Sequence, residues 1–211
     1  MLFKTQSAAL FGIDAYIVQV EVDLAQGGLG SFTTVGLPDV AVKESRERIR
    51  AAIKNCGFNF PTYQNITVNL APADIKKEGS GFDLPMALGL LGATGAFFGR
   101  TLDEFLFLGE LALDGTVRPV RGALSIAVAA RAKGIRRLVV PEANTREAAV
   151  VEGLEVYAAQ ALPQVVDLIN SPESFSPVRV QPEQLVAEAG QYSEGFRDVR
   201  EIGRASCRER V

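Results

Sequence analysis

The fold of this chain is decided by residues 71–88, which read APADIKKEGSGFDLPMAL. They follow a predicted strand at residues 66–70 and lead into an apolar helix that begins near Leu84. The polar, glycine-containing loop at residues 71–81 would expose free backbone N–H groups at the helix N-terminus, and these could hold an anion. The alternative is that the glycines only form the turn and that Asp83 caps the helix, where its carboxylate would repel an anion.

The segment before this loop predicts a hairpin followed by a short strand and a helix. Two β-rich runs, residues 3–11 and 15–24, flank a Gly-Ile-Asp turn. A short strand is predicted at residues 31–35, and the Gly-Leu-Pro that follows it breaks the chain. We expect Asp39 to cap a helix that runs to about residue 55 and ends at a glycine.

The segment after the loop alternates strands and helices. An Asp-Gly pair at residues 114–115 predicts a second hairpin. Strands are predicted at residues 105–108, 137–140 and 154–158, and helices at residues 123–133, 142–151 and 162–169. This alternation predicts a mixed-sheet α/β domain over residues 1–170, followed by a proline-containing linker over residues 171–200.

Composition excludes several classes of function. The chain has 211 residues, of which 47% are hydrophobic and 22% charged, as in globular proteins. It contains no histidine, which excludes Ser-His triads and histidine metal ligands. A net charge of −3 gives no global attraction to DNA or anionic lipid, and the longest apolar run is too short to span a bilayer. We therefore expect no membrane partner.

The last eleven residues, 201–211, read EIGRASCRERV and match the translation of a common short-read sequencing adapter. We therefore expect this segment to be a disordered artefact and the native protein to continue past Arg200. Cys56 is then the remaining cysteine, and its place on the apolar side of a predicted helix indicates a core residue rather than a nucleophile.

Candidate chemistry in the residues themselves is sparse. The sequence has neither a Gly-x-x-x-x-Gly-Lys-Ser/Thr phosphate loop nor a Gly-x-Gly-x-x-Gly fingerprint, so we expect no cofactor and no bound metal in this chain. Three carboxylates, Glu78, Asp83 and Glu110, could meet at a cleft. A solvated loop, a helix cap and a strand edge explain them equally well.

Basic residues cluster on the predicted helix and in the loop. If they converge on one face, they could contact DNA phosphates. Glu44 and Glu47 dilute the cluster and no aromatic residue is interleaved for stacking, so an ordinary solvated helix face is the alternative. The candidates are Lys43, Arg46, Arg48, Arg50, Lys54, Lys76 and Lys77.

Three motifs together resemble a known family. They are VGLPD at residues 35–39, ESRER at residues 44–48 and the loop at residues 71–88. They resemble the N-terminal domain of ComM/YifB-type magnesium-chelatase-like AAA+ ATPases. The resemblance implies a bacterial cytoplasmic protein. It further implies a ring-forming homo-hexamer that assembles through an ATPase domain missing from this chain, where ATP and Mg would bind. It also implies a role in DNA branch migration during natural transformation.

A second resemblance concerns residues 115–122 and 134–141, which are similar to the proteolytic domain of Lon and the Lon-like domain of RadA. It implies a Lon-type α/β sandwich with a mixed sheet and helices packed on one face. Aligned on Lon, Gly81 stands where the serine nucleophile should be and Leu124 where the lysine base should be.

Three functions remain after these resemblances: a non-catalytic assembly or DNA-contacting module, a purely structural oligomerisation domain, and a Lon-like peptidase. The peptidase is disfavoured because Gly81 replaces its catalytic serine and Leu124 replaces its catalytic lysine. Rescue by Ser80 would need a buried lysine such as Lys76 or Lys77, and we expect lysines in this polar loop to stay solvated and charged.

Overall fold

The N-terminal hairpin builds the largest sheet. In a computed structural model, which describes residues 1–27, 30–97 and 102–180, strands β1 (Leu2–Phe11) and β2 (Asp14–Gln26) pair antiparallel from Leu2 opposite Asp23 to Phe11 opposite Asp14. The predicted hairpin is confirmed. Along β2, Val18, Val20 and Val22 are fully buried because alternate side chains point to the same face.

The sheet is completed by β3 (Phe32–Val35) and β4 (Gln64–Ala71), in the order β1-β2-β4-β3. Strands β3 and β4 run parallel because the helix α1 (Val40–Asn55) crosses between them. The predicted cap of α1 is confirmed, since Asp39 Oδ1 accepts a hydrogen bond from the Val42 N–H at 2.8 Å.

Helix α2 (Asp83–Ala93) is buried along its whole length and packs against β1 and β2. Its glycines permit this close approach, because a Cβ at Gly89 would lie 2.6 Å from the Val22 side chain. The prediction that Asp83 caps this helix is wrong. The helix begins at Asp83 itself, and the carboxylate bonds to other elements instead, as described below.

The second half of the chain forms a three-stranded parallel sheet and a small hairpin. The sheet has the order β5-β8-β9, and the hairpin turns at Asp114-Gly115 as predicted. The strands are β5 (Phe105–Phe107), β6 (Glu110–Leu111), β7 (Val117–Arg118), β8 (Arg137–Pro141) and β9 (Glu155–Ala159). The helices are α3 (Ala123–Ala132), α4 (Thr145–Ala148) and α5 (Leu162–Asn170).

The prediction of a continuous helix over residues 142–151 is wrong. The segment is split into a 3-10 turn, Glu142–Asn144, and the single turn of α4. The buried Asn144 side chain accepts a hydrogen bond from the Val120 N–H at 3.0 Å and donates one to the Val120 carbonyl at 2.8 Å. This two-way bond holds the chain to the segment before α3.

Two hydrophobic clusters form the core. One joins β2, β4 and β5 to α1, α2 and α5, and the other joins β8 to α3. Ala15 and Ile17 of β2 pack with the second cluster, whereas Val18, Val20 and Val22 belong to the first. The predicted mixed α/β fold is confirmed, and helices contact both side-chain sets of β2 rather than one face alone.

The compact unit extends to Arg179, beyond the boundary predicted at residue 170. After a 3-10 turn at Pro172–Ser174, the Val178 N–H donates to the Val156 carbonyl at 2.7 Å. Most of the predicted linker and the predicted adapter segment, residues 201–211, lie outside the described residues. None of the helices in the described ranges has the length and apolarity that a membrane crossing requires.

Candidate functional site

The VGLPD motif clamps the loop that precedes α2. Gly36 has φ +95° and lies so close to β4 that a Cβ here would overlap the carbonyl oxygen of Leu70. The chain then pairs with the loop: the Lys77 N–H donates to the Leu37 carbonyl at 3.1 Å, and the Asp39 N–H donates to the Lys77 carbonyl at 3.0 Å. We call these contacts the clamp.

Asp39 joins the clamp to α1. While its Oδ1 caps the helix, its Oδ2 accepts a hydrogen bond from the Gly79 N–H at 3.1 Å. One carboxylate therefore fixes the helix start and the tip of the glycine loop. The backbone N–H of Gly79, which could have served an anion, is already satisfied by this side chain.

The ESRER motif supplies the partners of Asp83, which is fully buried. Arg48 donates to both carboxylate oxygens, from Nε to Oδ2 at 2.6 Å and from Nη2 to Oδ1 at 3.1 Å. The Ser45 hydroxyl and the Leu111 N–H, the latter at 3.1 Å, also donate to this carboxylate. This network connects α1, α2 and β6, so Arg48 is not available for DNA and its prediction as a phosphate contact is wrong.

Burial and hydrogen bonding have opposite effects on the pKa of Asp83. Burial raises the pKa of the Asp83 carboxyl, and the hydrogen bonds from Arg48, Ser45 and Leu111 act in the opposite direction. The hydrogen bond to Asp83 raises the pKa of Arg48 against its own partial burial. The arrangement is that of a structural ion pair with its lone pairs satisfied.

Lys77 is also fully buried, contrary to prediction. Its Nζ donates to the Pro72 carbonyl, and burial lowers its pKa while Asp74 acts in the opposite direction. The clamp pairs the Lys77 backbone with residues 37–39 and turns the side chain inward. The predictions that Lys77 stays solvated and that it could contact phosphate are therefore both wrong.

A cleft of about 580 Å³ opens beside the glycine loop. Ser80 lines this cleft, and its hydroxyl donates a hydrogen bond to the Glu110 carboxylate. The same carboxylate forms an ion pair with Arg118 at 3.5 Å. A Cβ at Gly81 would lie 3.5 Å from the Val120 side chain, an ordinary contact, so the cleft has room where a nucleophile would stand. Leu124, at the base position, is 43% exposed on α3.

The three carboxylates singled out from sequence separate. Glu78 and Glu110 line the cleft, and Glu78 pairs with Lys76 at 2.6 Å. Asp83 belongs to the buried network with Arg48. Cys56 packs against the hairpin turn, and burial raises its pKa, which is the opposite of what a nucleophilic thiol requires.

The remaining basic candidates lie mostly on the outer face of α1. Lys43, Arg46 and Lys54 are exposed, and the half-buried Arg50 lies over the ring of Phe60 at 5.8 Å from its centroid. The sequence analysis did not identify Phe60 as part of this region. Phe60 lies beyond the end of α1 in the sequence, and only the tertiary fold brings its ring against Arg50.

A family model described as subunit ChlI of Mg-chelatase matches residues 20–144. The chain belongs to this family. The matched range runs from β2 to Asn144 and contains the clamp, the Asp83 network and all of the cleft lining except Ala8 and Leu10. Within the family, the chain belongs to the Mg-chelatase-like group that includes ComM and YifB.

Relatives agree with this assignment. The chain is 44% identical over 169 residues to competence protein ComM of Haemophilus influenzae, which covers 80% of this chain and 33% of ComM. It is 39% identical over 184 residues to the uncharacterized protein YifB of Escherichia coli, covering 87% of this chain and 35% of YifB. The chain thus spans about a third of the length of these relatives.

Lon protease 2 of Bacillus subtilis is 25% identical to the chain over 143 residues, covering 66% of this chain and 25% of that protein. This weaker similarity is consistent with the mixed α/β fold. The sequence has no phosphate loop, and no group of three or more potential metal ligands occurs in the described ranges.

Proposed function

We propose that this chain is the non-catalytic N-terminal module of a ring-forming, Mg-chelatase-like AAA+ ATPase of the ComM type. The complete protein would assemble as a cytoplasmic homo-hexamer through its ATPase domain and would bind ATP and Mg there. In this proposal it drives DNA branch migration during natural transformation, and the present module contributes contacts rather than chemistry.

One observation supports the non-catalytic role: Ser80 in the cleft and the buried Lys77 of the adjoining loop bond to other groups and not to each other. Ser80 donates to a carboxylate rather than to a lysine, and the buried Lys77 donates to a backbone carbonyl. A serine–lysine peptidase needs its lysine to accept the serine proton. The clamp and the Asp83 network hold the loop without providing that pair.

The test uses the full-length protein with its native downstream sequence. We expect Ser80→Ala to leave ATP hydrolysis and branch migration of a synthetic junction unchanged, and a serine-directed covalent probe to label wild type no more than Ser80→Ala. Deletion of residues 1–180 should impair branch migration while leaving ATP hydrolysis measurable. Specific labelling of Ser80 would support the peptidase instead, and intact branch migration after the deletion would contradict the proposed role.

A further inference from the structure

Four basic residues of α1 form one continuous line, which we call the basic stripe: Lys43, Arg46, Arg50 and Lys54. Their spacing of three, four and four residues puts them on one face of a helix with 3.6 residues per turn. The stripe extends about 16 Å along the helix axis at a rise of 1.5 Å per residue. Arg48 is excluded from it because its side chain bonds to Asp83.

The stripe is weakly neutralised. Arg46 pairs with Glu47 at 3.2 Å, and both side chains are about half or more exposed, at 47% and 68%. Exposed pairs of this kind contribute little, so a phosphate can replace Glu47 at small cost. Lys43 and Lys54 are exposed and make no ion pair with any residue in the described ranges.

Two aromatic residues lie on the turn that follows α1, and one of them, Phe60, packs under Arg50 of the stripe. The turn after α1 is fixed by the Thr62 N–H, which donates to the Phe60 carbonyl at 2.8 Å. It places Phe60 beneath Arg50 and leaves Tyr63 82% exposed at its tip. An aromatic ring held this far into solvent has no packing role in the described part of the chain.

A small pocket of about 110 Å³ connects the two features. Arg46 and Arg50 line it from the helix, and Phe60 and Thr62 line it from the turn. Ser31 also lines the pocket, and its hydroxyl donates to Asn65 Oδ1 at 2.9 Å. Guanidinium groups bind phosphates, and aromatic rings beside them stack on unpaired bases.

We propose that the basic stripe, with Phe60 and Tyr63, binds single-stranded DNA. The phosphates follow the stripe, and an unpaired base stacks on Tyr63. A single strand is favoured over a duplex because stacking on an exposed ring requires a base that is free of its partner. This inference rests on the proposed function, in which the whole protein acts on DNA, and it assigns that contact to one surface.

The experiment measures fluorescence anisotropy of labelled oligo(dT), 20 nucleotides long, and of a 20-base-pair duplex, with the 211-residue chain over a salt series. Arg46→Ala/Arg50→Ala should weaken oligo(dT) binding at least tenfold. It should also reduce the slope of log affinity against log salt by about 1.4, because each lost phosphate contact on a single strand contributes about 0.7. Tyr63→Ala should weaken binding about tenfold with an unchanged slope, and Tyr63→Phe should retain binding.

The control is Arg131→Ala/Lys133→Ala, which removes two exposed charges from the last turn and the C-cap of α3. Circular dichroism establishes that each variant is folded. The inference is overturned if wild type does not bind oligo(dT) at low salt, if it prefers the duplex, if the control loses as much affinity as Arg46→Ala/Arg50→Ala, or if Tyr63→Ala binds like wild type. If the predicted losses occur but the full-length wild-type protein shows no branch migration of a synthetic junction, the DNA-binding surface is supported and the proposed function is contradicted.

Discussion

Arg48 and Arg50 are two residues apart on the same helix, yet they belong to regions with different roles. Arg48 turns inward and bonds bidentately to the buried Asp83, whereas Arg50 turns outward over Phe60 beside the basic stripe. The inner region holds α1, α2 and the glycine loop together, and the outer region leaves its charges for solvent or a ligand. What a basic residue does here depends on what packs against it.

The sharpest test of this difference compares Arg48→Ala with Arg50→Ala. We expect Arg48→Ala to lower the free energy of unfolding by about 3–5 kcal/mol, because it leaves the Asp83 carboxylate buried without its partner. Arg50→Ala should cost about 0.5–1 kcal/mol, the contribution of a surface cation–π contact. Urea unfolding measures both values, and equal losses would show that the two arginines are not distinct in role.

The clamp on the inner side predicts a second contrast, between Gly36→Ala and Gly79→Ala. Both glycines have positive φ, at +95° and +85°, which costs a larger residue about 1–3 kcal/mol. Only Gly36 also faces a backbone carbonyl that a Cβ would overlap, while a Cβ at Gly79 meets nothing within 4 Å. Gly36→Ala should therefore have the lower denaturation midpoint, and the reverse order would argue against the clamp.

Lys77 predicts a pH dependence of stability. Burial lowers its pKa below 10.5, so the unfolded chain holds this proton at pH values where the folded chain has released it. The contribution of Lys77 to stability therefore rises as the pH increases from its folded pKa towards 10.5. Urea unfolding of wild type and Lys77→Met at pH 7 and pH 10 isolates this effect, and an identical pH response in the two proteins would contradict it.

The smallest effects are expected at the ends of the basic stripe. Lys43→Ala and Lys54→Ala should each change the free energy of unfolding by no more than about 0.5 kcal/mol, because both side chains are exposed and unpaired among the described residues. Thermal or urea unfolding provides the measurement. A loss above about 1 kcal/mol at either position would place the stripe with the structural inner region rather than the outer one.

Elements with strong local patterns were predictable. The alternation in β2 and the Asp39 cap of α1 identify both elements without reference to the rest of the chain. The Asp83 cap was predicted by the same local rule and is wrong, because Arg48, Ser45 and Leu111 reach that carboxylate from other elements. The prediction of one helix over residues 142–151 is wrong for a related reason, since the side chain of Asn144 bonds to the backbone of Val120.

By itself, the sequence determined the mixed α/β class, the two hairpins and the glycine loop before α2, because side-chain periodicity and turn chemistry are local properties. The absence of a phosphate loop was equally readable. Only the tertiary structure decided that Lys77 is buried, that Arg48 is structural and that Phe60 lies under Arg50. Each of these depends on chain segments that are brought into contact by packing, and burial, not residue type, sets whether a charge is available to a ligand.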